Sequence, residues 1–256
     1  MKVVILAGGL GSRLGSLTEY IPKPMVKIGE HPILWHIMKN FSQQGINDFV
    51  IALGYKGEIV REYFYNYQAY SNDFTVNLKS GDVQLHGTKG EDWNVTCVDT
   101  GLSSLKGARL KKVERFIDDE INILTYGDGV ADINVKALID FHLSHNRLMT
   151  VTGVCPPSLF GEIEESNGEV TSFIEKSQMT NGLINGGFIV FNRKIFDYLS
   201  TDDSCDLEVG LMEKLASERQ VMVYKHSGNW FCMDQQRDYH HLNMLWQQGK
   251  AAWKNW

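Results

Sequence analysis

The chain opens on an unbroken apolar run, Val3-Val4-Ile5-Leu6-Ala7, closed by Gly8-Gly9. A short continuous run ending in glycines reads as a buried strand leading into a loop. Pro32 suits the first turn of a helix, and Ile33, Leu34, Ile37, Met38 and Phe41 then recur at helical spacing until Gly45 offers a C-cap. Phe49 to Leu53 is a second strand, followed by Gly54 and a helix from Glu58 to Tyr65. Ile121 to Thr125 forms a strand entering Tyr126-Gly127-Asp128-Gly129, a helical pattern runs from Val135 to Leu143, and Met149 to Cys155 is again a strand. This alternation predicts an α/β fold, a mostly parallel, Rossmann-like mixed sheet flanked by helices. Such sheets bind ligands beyond the carboxyl ends of their strands, where the glycine-rich segments at Gly8 and Gly127 fall.

Other regions break the rhythm. Between Asp73 and Val98, short β patterns interrupted by Gly81 and Gly87 suggest an inserted hairpin or meander. Later strands are expected near Val170–Ile174, Phe188–Phe191 and Val221–Tyr224, and a helix followed by a Trp-rich tail from Arg237. The tail holds Trp246, Trp253 and Trp256, which dock on the chain's own core or sit at a subunit contact. Without repeats or long linkers, residues 1–256 read as a single domain, with an insert at about 73–109, an α+β part at about 155–235 and a C-terminal helix and tail over 236–256.

Composition narrows the classes. At 256 residues, 43% hydrophobic and 22% charged, the chain is an ordinary globular protein. A net charge of −6 argues against nucleic acid or an anionic membrane as partner, since both need a basic face. Cys97, Cys155, Cys205 and Cys232 are widely spaced, giving neither a zinc framework nor a disulfide scaffold. No stretch is long enough for a membrane span, and a cytoplasmic location is expected.

The most informative segment is Leu6-Ala7-Gly8-Gly9-Leu10-Gly11-Ser12-Arg13-Leu14. Glycines let backbone N–H groups approach phosphate oxygens closely, and Arg13 adds a planar donor fork. A Walker A loop is excluded because Ser12-Arg13 follows Gly11, and a dinucleotide fingerprint starting at Gly9 because Leu14 stands where glycine or alanine is needed. In Pro22-Lys23-Pro24 each proline fixes its own φ, and Pro24 is expected to push Lys23 toward an extended conformation, which lowers the entropy lost on binding an anion. Alone, Lys23 also reads as a solvated lysine in a rigid turn.

Together, L-A-G-G-x-G-S-R-L and P-K-P-M resemble the signature of sugar-nucleotide pyrophosphorylases, nucleotidylyltransferases with a glycosyltransferase-A-like fold. Pro32 to Met38, Gly54-Tyr55-Lys56-Gly57, Trp93 to Thr96, Tyr126 to Asp132 and Ile184 to Phe188 extend the resemblance along the chain, toward the bacterial members that use CTP and glucose 1-phosphate. The resemblance implies Mg2+-assisted transfer of CMP to a sugar 1-phosphate, with a CDP-sugar and pyrophosphate as products. It implies a homo-oligomer as large as a hexamer, the insert reaching a neighbour. Arg13 and Lys23 would stabilise charge in an in-line displacement needing no nucleophilic triad. Leu6, Ala7, Gly8, Gly9, Gly11, Ser12, Arg13, Lys23, Ser104, Arg109, Gly127 and Asp128 would bind the nucleotide. Glu175, Lys176, Asn185 and Gly186 would line the acceptor pocket, the double glycine leaving room for a ring.

Magnesium prefers carboxylates, phosphates and water; Asp128, between two glycines at a predicted strand end, is placed to be one ligand, the resemblance implies Asp234 as the second, and Asp132 would be a partner behind them. Local sequence also allows Asp234 to cap a helix beginning at Gln235, and Arg109 to belong to a solvated basic run with Lys111 and Lys112. His36, on an apolar helical face, reads as structural. Departures from the family pattern gather in the second half: Ser177, Glu162, and Asp206 to Gly210 before Leu211. They leave open another phosphorylated acceptor, a different hexose phosphate or a polyol phosphate. A catalytically silent nucleotide sensor is the more distant alternative, since Arg13, Lys23, Asp128 and Asp234 are all present.

Overall fold

The computed structural model describes residues 1–155, 162–174 and 182–256. Its elements in chain order are β1 (Val3–Ala7), α1 (Ile33–Ser42), β2 (Asp48–Leu53), α2 (Gly57–Tyr65), β3 (Asp73–Val76), β4 (Val83–His86), β5 (Asn94–Asp99), α3 (Lys106–Lys112), β6 (Ile121–Tyr126) and β7 (Gly129–Ala131). There follow α4 (Val135–His145), β8 (Met149–Val154), β9 (Glu162–Ser166), β10 (Glu169–Ile174), β11 (Ile184–Asn185), β12 (Ile189–Asn192), β13 (Val221–His226), β14 (Trp230–Cys232) and α5 (Gln236–Gln247).

Among the described residues the central sheet has eight strands. β1 lies parallel between β2 and β6, and β2 is parallel to β5. Beyond β6, β12 runs antiparallel to both β6 and β8, and β13 is parallel to β8. The mostly parallel mixed sheet is the Rossmann-like architecture expected. β1 is apolar throughout because both faces are covered: Val3, Ile5 and Ala7 enter one hydrophobic cluster, Val4 and Leu6 the other. A strand buried on both sides has no polar face to alternate with.

The insert differs from expectation. The free-standing part is only the β3–β4 hairpin, in which every residue is exposed. β5 instead joins the central sheet, in register from Asp48↔Asn94 to Leu53↔Asp99. A half-buried edge strand has the same period-2 pattern whether its partner is a local hairpin or a distant strand.

α1 is buried almost all round, including His36 and Asn40. The C-terminal tail is what covers it. Trp253 is fully buried in the α1 cluster, and Asn40 Nδ2 donates to the Trp253 carbonyl at 3.1 Å. His36 Nε2 lies 2.9 Å from the Ile28 carbonyl oxygen, its ring edge-on to Trp246. Burial pushes its pKa down to about 4, so the ring is neutral at physiological pH. The tail therefore docks on the chain's own core, and His36 is structural. No helix among the described residues is long and apolar enough to cross a membrane.

Candidate active site

The loop after β1 is shaped by Gly11, whose φ of 66° starts the short 3-10 turn Ser12–Thr18. Side chains rarely adopt that left-handed backbone, so glycine is required. The Gly8 carbonyl is held from two directions, by the Tyr55 amide at 3.2 Å and by Arg109 Nη2 at 3.1 Å. Among the described residues nothing accepts from the amides of Gly9, Leu10 or Gly11. Unpaired N–H groups on a braced glycine loop make an anion-binding concavity.

Lys23 is not extended as the prolines suggested: it opens a single 3-10 turn, Lys23–Met25, capped by Pro22 and closed by the Val26 amide on the Lys23 carbonyl at 3.1 Å. Its ammonium lies 2.6 Å from Asp128 Oδ2 and 2.6 Å from Asp234 Oδ1. Arg13 Nη1 approaches Asp234 Oδ2 at 3.1 Å while most of its side chain stays in solvent. Burial alone would lower the pKa of Lys23, but Asp128, and then Asp234, outweigh it and hold it above the ordinary value. Burial likewise works to raise Asp234, and its hydrogen bond and charge contact with Lys23 overcome that and lower it. Asp234 is thus held as a carboxylate against a charged lysine. Asp234 does not cap the last helix; Gln235 does, in a reciprocal capping box with Asp238.

Oxygens of Asp128 and Asp234 and the Cys232 thiol lie within 4.8 Å of one another. Burial and the two neighbouring carboxylates push the thiol's pKa up, so it is a neutral group beside a hard-oxygen pair. Two carboxylates already sharing one cation fit a hard divalent ion. Asp132 is not part of this cluster; it pairs with His226 at 3.0 Å and accepts from the Asn229 amide at 2.7 Å.

Every candidate nucleotide-binding residue lines one cavity of about 430 Å³: Leu6, Ala7, Gly8, Gly9, Gly11, Ser12, Arg13, Lys23, Ser104, Arg109, Gly127 and Asp128. Two of them also make contacts inside the protein. Arg109 is 4% exposed rather than solvated, so it does not belong to a surface basic run. Its guanidinium also donates to Thr100 Oγ1 at 2.7 Å and to the carbonyls of Leu53, Gly101 and Leu102, which makes it a brace behind the loop. The Ser104 hydroxyl sits 2.6 Å from Asp203 Oδ1 and accepts from Lys112 Nζ at 2.7 Å.

Asn185 and Gly186 lie outside this cavity's wall. Asn185 Nδ2 donates to the Tyr126 hydroxyl at 2.9 Å, and the Gly186 carbonyl accepts from Trp230 Nε1 at 2.8 Å. A Cβ on Gly186 would come within 2.7 Å of Val154 Cγ1, so packing against the neighbouring strand already calls for a glycine here. Glu175 and Lys176, with Ser177 and the segment Leu159-Phe160-Gly161, lie outside the described residues. Sequence reasoning missed Lys106 and Tyr126, which line the same cavity. Lys106 lies between two chosen residues, Ser104 and Arg109, and Tyr126 directly precedes Gly127, so adjacency was the available signal.

The nucleotidyl transferase family profile matches residues 2–249. Glucose-1-phosphate cytidylyltransferase of Salmonella typhi is 48% identical over 257 residues, covering 100% of both chains. Among solved structures, HddC from Yersinia pseudotuberculosis complexed with GMP-PN superimposes with a TM-score of 0.69 at 22% identity, covering 96% of this chain and 99% of the other. A UDP-glucose pyrophosphorylase complexed with UDP-glucose gives 0.68 at 16% identity, covering 97% and 98%. These two share the fold, while the full-length sequence matches settle kinship: the chain is an enzyme of the nucleotidyl transferase family.

Proposed function

We propose that the enzyme transfers CMP from CTP to a sugar 1-phosphate, glucose 1-phosphate, giving a CDP-sugar and pyrophosphate. Full-length identity to the glucose-1-phosphate cytidylyltransferases supports the substrates. The observation that carries the chemistry is the single cavity uniting a glycine loop of unpaired amides with Lys23, Arg13 and Asp128.

An oxygen of the acceptor phosphate, already ionised at neutral pH, attacks the α-phosphorus of CTP. The new O–P bond forms as the bond to the bridging oxygen breaks, and pyrophosphate leaves with that electron pair. The obstacle is repulsion between two anions, not weak nucleophilicity. Gly9, Leu10 and Gly11 offer amides to the triphosphate, and Lys23 and Arg13 supply positive charge where negative charge accumulates. Asp128 and Asp234 would hold a divalent ion, magnesium, which when bound neutralises phosphate oxygens. Asn185 and Gly186, with Glu175 and Lys176, are assigned to the acceptor.

Two features support a homo-oligomer. Phe74, Val76, Val83 and Leu85 form cross-strand pairs in the exposed hairpin, and a lone two-stranded hairpin is marginal in water. A separate groove of about 740 Å³ is lined by aromatic residues including Phe64, Tyr67 and Trp93. Light scattering on the purified protein should give a multiple of 29.1 kDa; a monomer would contradict a shared assembly.

The catalytic reading is tested by pyrophosphate release with CTP, Mg2+ and a panel of sugar and polyol phosphates. Turnover with glucose 1-phosphate is expected. Turnover of another acceptor with glucose 1-phosphate inert would reject it.

A further inference from the structure

The proposed chemistry leaves Glu208 unused, yet three parts of the site converge on it. Glu208 Oε1 accepts from the Tyr126 hydroxyl at 2.8 Å and pairs with the Lys106 ammonium. The same Tyr126 oxygen accepts from Asn185 Nδ2 at 2.9 Å. Lys106 and Tyr126 are on the wall of the nucleotide cavity, with the Lys106 ammonium 5.5 Å from the Tyr126 ring centroid. Asn185 instead ends β11, where the double glycine interrupts the strand, and its Oδ1 accepts from the Gly187 amide at 3.0 Å. One carboxylate therefore links a cation beside the nucleotide to a side chain assigned to the acceptor.

The chain holds this carboxylate in place. Leu207 and Leu211 on either side are buried in the second hydrophobic cluster. Asp206 Oδ1 accepts from the amides of Glu208 and Val209, each at 2.9 Å. The Ala108 amide donates to the Cys205 carbonyl at 2.9 Å, which ties the segment to the helix carrying Lys106. Glu208 Oε2, moreover, is buried and has no hydrogen-bond partner among the described residues. Leaving such an acceptor unpaired is costly, and an apolar side chain would fill the space more cheaply. A carboxylate kept there calls for a role beyond packing.

We propose that Glu208 is a positioning residue for the transfer reaction. It fixes Lys106 for the nucleotide phosphates and, through Tyr126, Asn185 for the acceptor, so that both substrates are held in register. The assignment rests on the nucleotidyl-transfer reading above and adds a residue that acts only through others.

The test is steady-state pyrophosphate release, varying CTP and glucose 1-phosphate separately, with thermal melts, for the parent and for E208A, E208Q, K106M and Y126F. Loss of a charge-assisted contact is worth about 10-fold or more. E208A should raise both KM values by about that factor while melting close to the parent. E208Q retains an acceptor for Tyr126 but no charge for Lys106, so it should match K106M in raising the KM for CTP. Y126F should raise the acceptor KM with little change for CTP. A purely packing role would lower the melting temperature and leave both KM values in place. The proposal is overturned if E208A leaves both KM values within about twofold of the parent. Should E208A not fold, failure of E208Q and Y126F to split the two KM values overturns it equally. An inert parent would reject the underlying reaction, and the positioning role with it.

Discussion

Replacing Lys23 by alanine should lower turnover by about 10²- to 10³-fold, the loss typical of one preorganised charge-stabilising donor. Lys23 is 9% exposed, follows Pro22, precedes Pro24, and has both carboxylates at 2.6 Å. A side chain that ordered loses little freedom when phosphates arrive, so most of its effect should fall on turnover rather than on the KM for CTP. The substitution also removes the cation that lowers the pKa of Asp234. The Asp234 carboxyl group should then take up its proton at higher pH, because that neighbouring charge is gone. Activity in K23A should therefore rise with pH over a range where the parent is flat. Rates measured from pH 5 to 8 check both points, and parent-like turnover in K23A would remove Lys23 from the chemistry.

Replacing Arg109 by alanine should have the largest effect on stability. Its guanidinium serves the carbonyls of Gly8, Leu53, Gly101 and Leu102 and the Thr100 hydroxyl. Gly8 and Leu53 keep one other amide donor each, from Tyr55 and Thr100, and the Thr100 hydroxyl keeps its bond to the Leu53 carbonyl; among the described residues only the less buried Gly101 and Leu102 carbonyls lose their donor outright. Hydrogen bonds to a charged group are worth roughly 1.5–3 kcal/mol each, so losing the whole set is expected to cost about 3 kcal/mol or more. In a chain of this size that corresponds to a melting temperature lower by roughly 10 °C. R109K keeps the charge but not the planar fork, and should recover little. The close fit points the same way: a Cβ on Gly54 would come within 2.6 Å of the Gly8 carbonyl and collide with the guanidinium. If Arg109 instead met phosphates directly, R109K would melt like the parent and lose only nucleotide affinity. Differential scanning calorimetry with CTP titration separates the two.

What could be read from the sequence was what is local in it. β1, the glycine loop and the Pro-Lys-Pro turn were legible because their residues are contiguous and each has its own physical reason. Asp234 was ambiguous because its meaning depends on Lys23, 211 positions away. A carboxylate before a helix looks the same whether it caps that helix or reaches across the fold. Arg109, two residues before Lys111-Lys112, could also be read as part of a solvated run, because nothing nearby shows that the Gly8 and Gly54 loops close over it. β5 carried the right pattern for a strand, but pattern does not name a partner. Glu208 appeared in the sequence only as part of a departure, and its partners Lys106 and Tyr126 are 102 and 82 positions away.

The central claim is that the glycine loop, Arg13 and Lys23 hold the triphosphate while Asp128 and Asp234 hold the divalent ion. A crystal structure with CTP and Mg2+ bound tests it directly. The triphosphate should lie against the amides of Gly9, Leu10 and Gly11, within reach of Lys23, and the ion should sit between the two carboxylates. A triphosphate bound elsewhere, for example in the groove lined by Phe64 and Trp93, or an ion away from both aspartates, would contradict it.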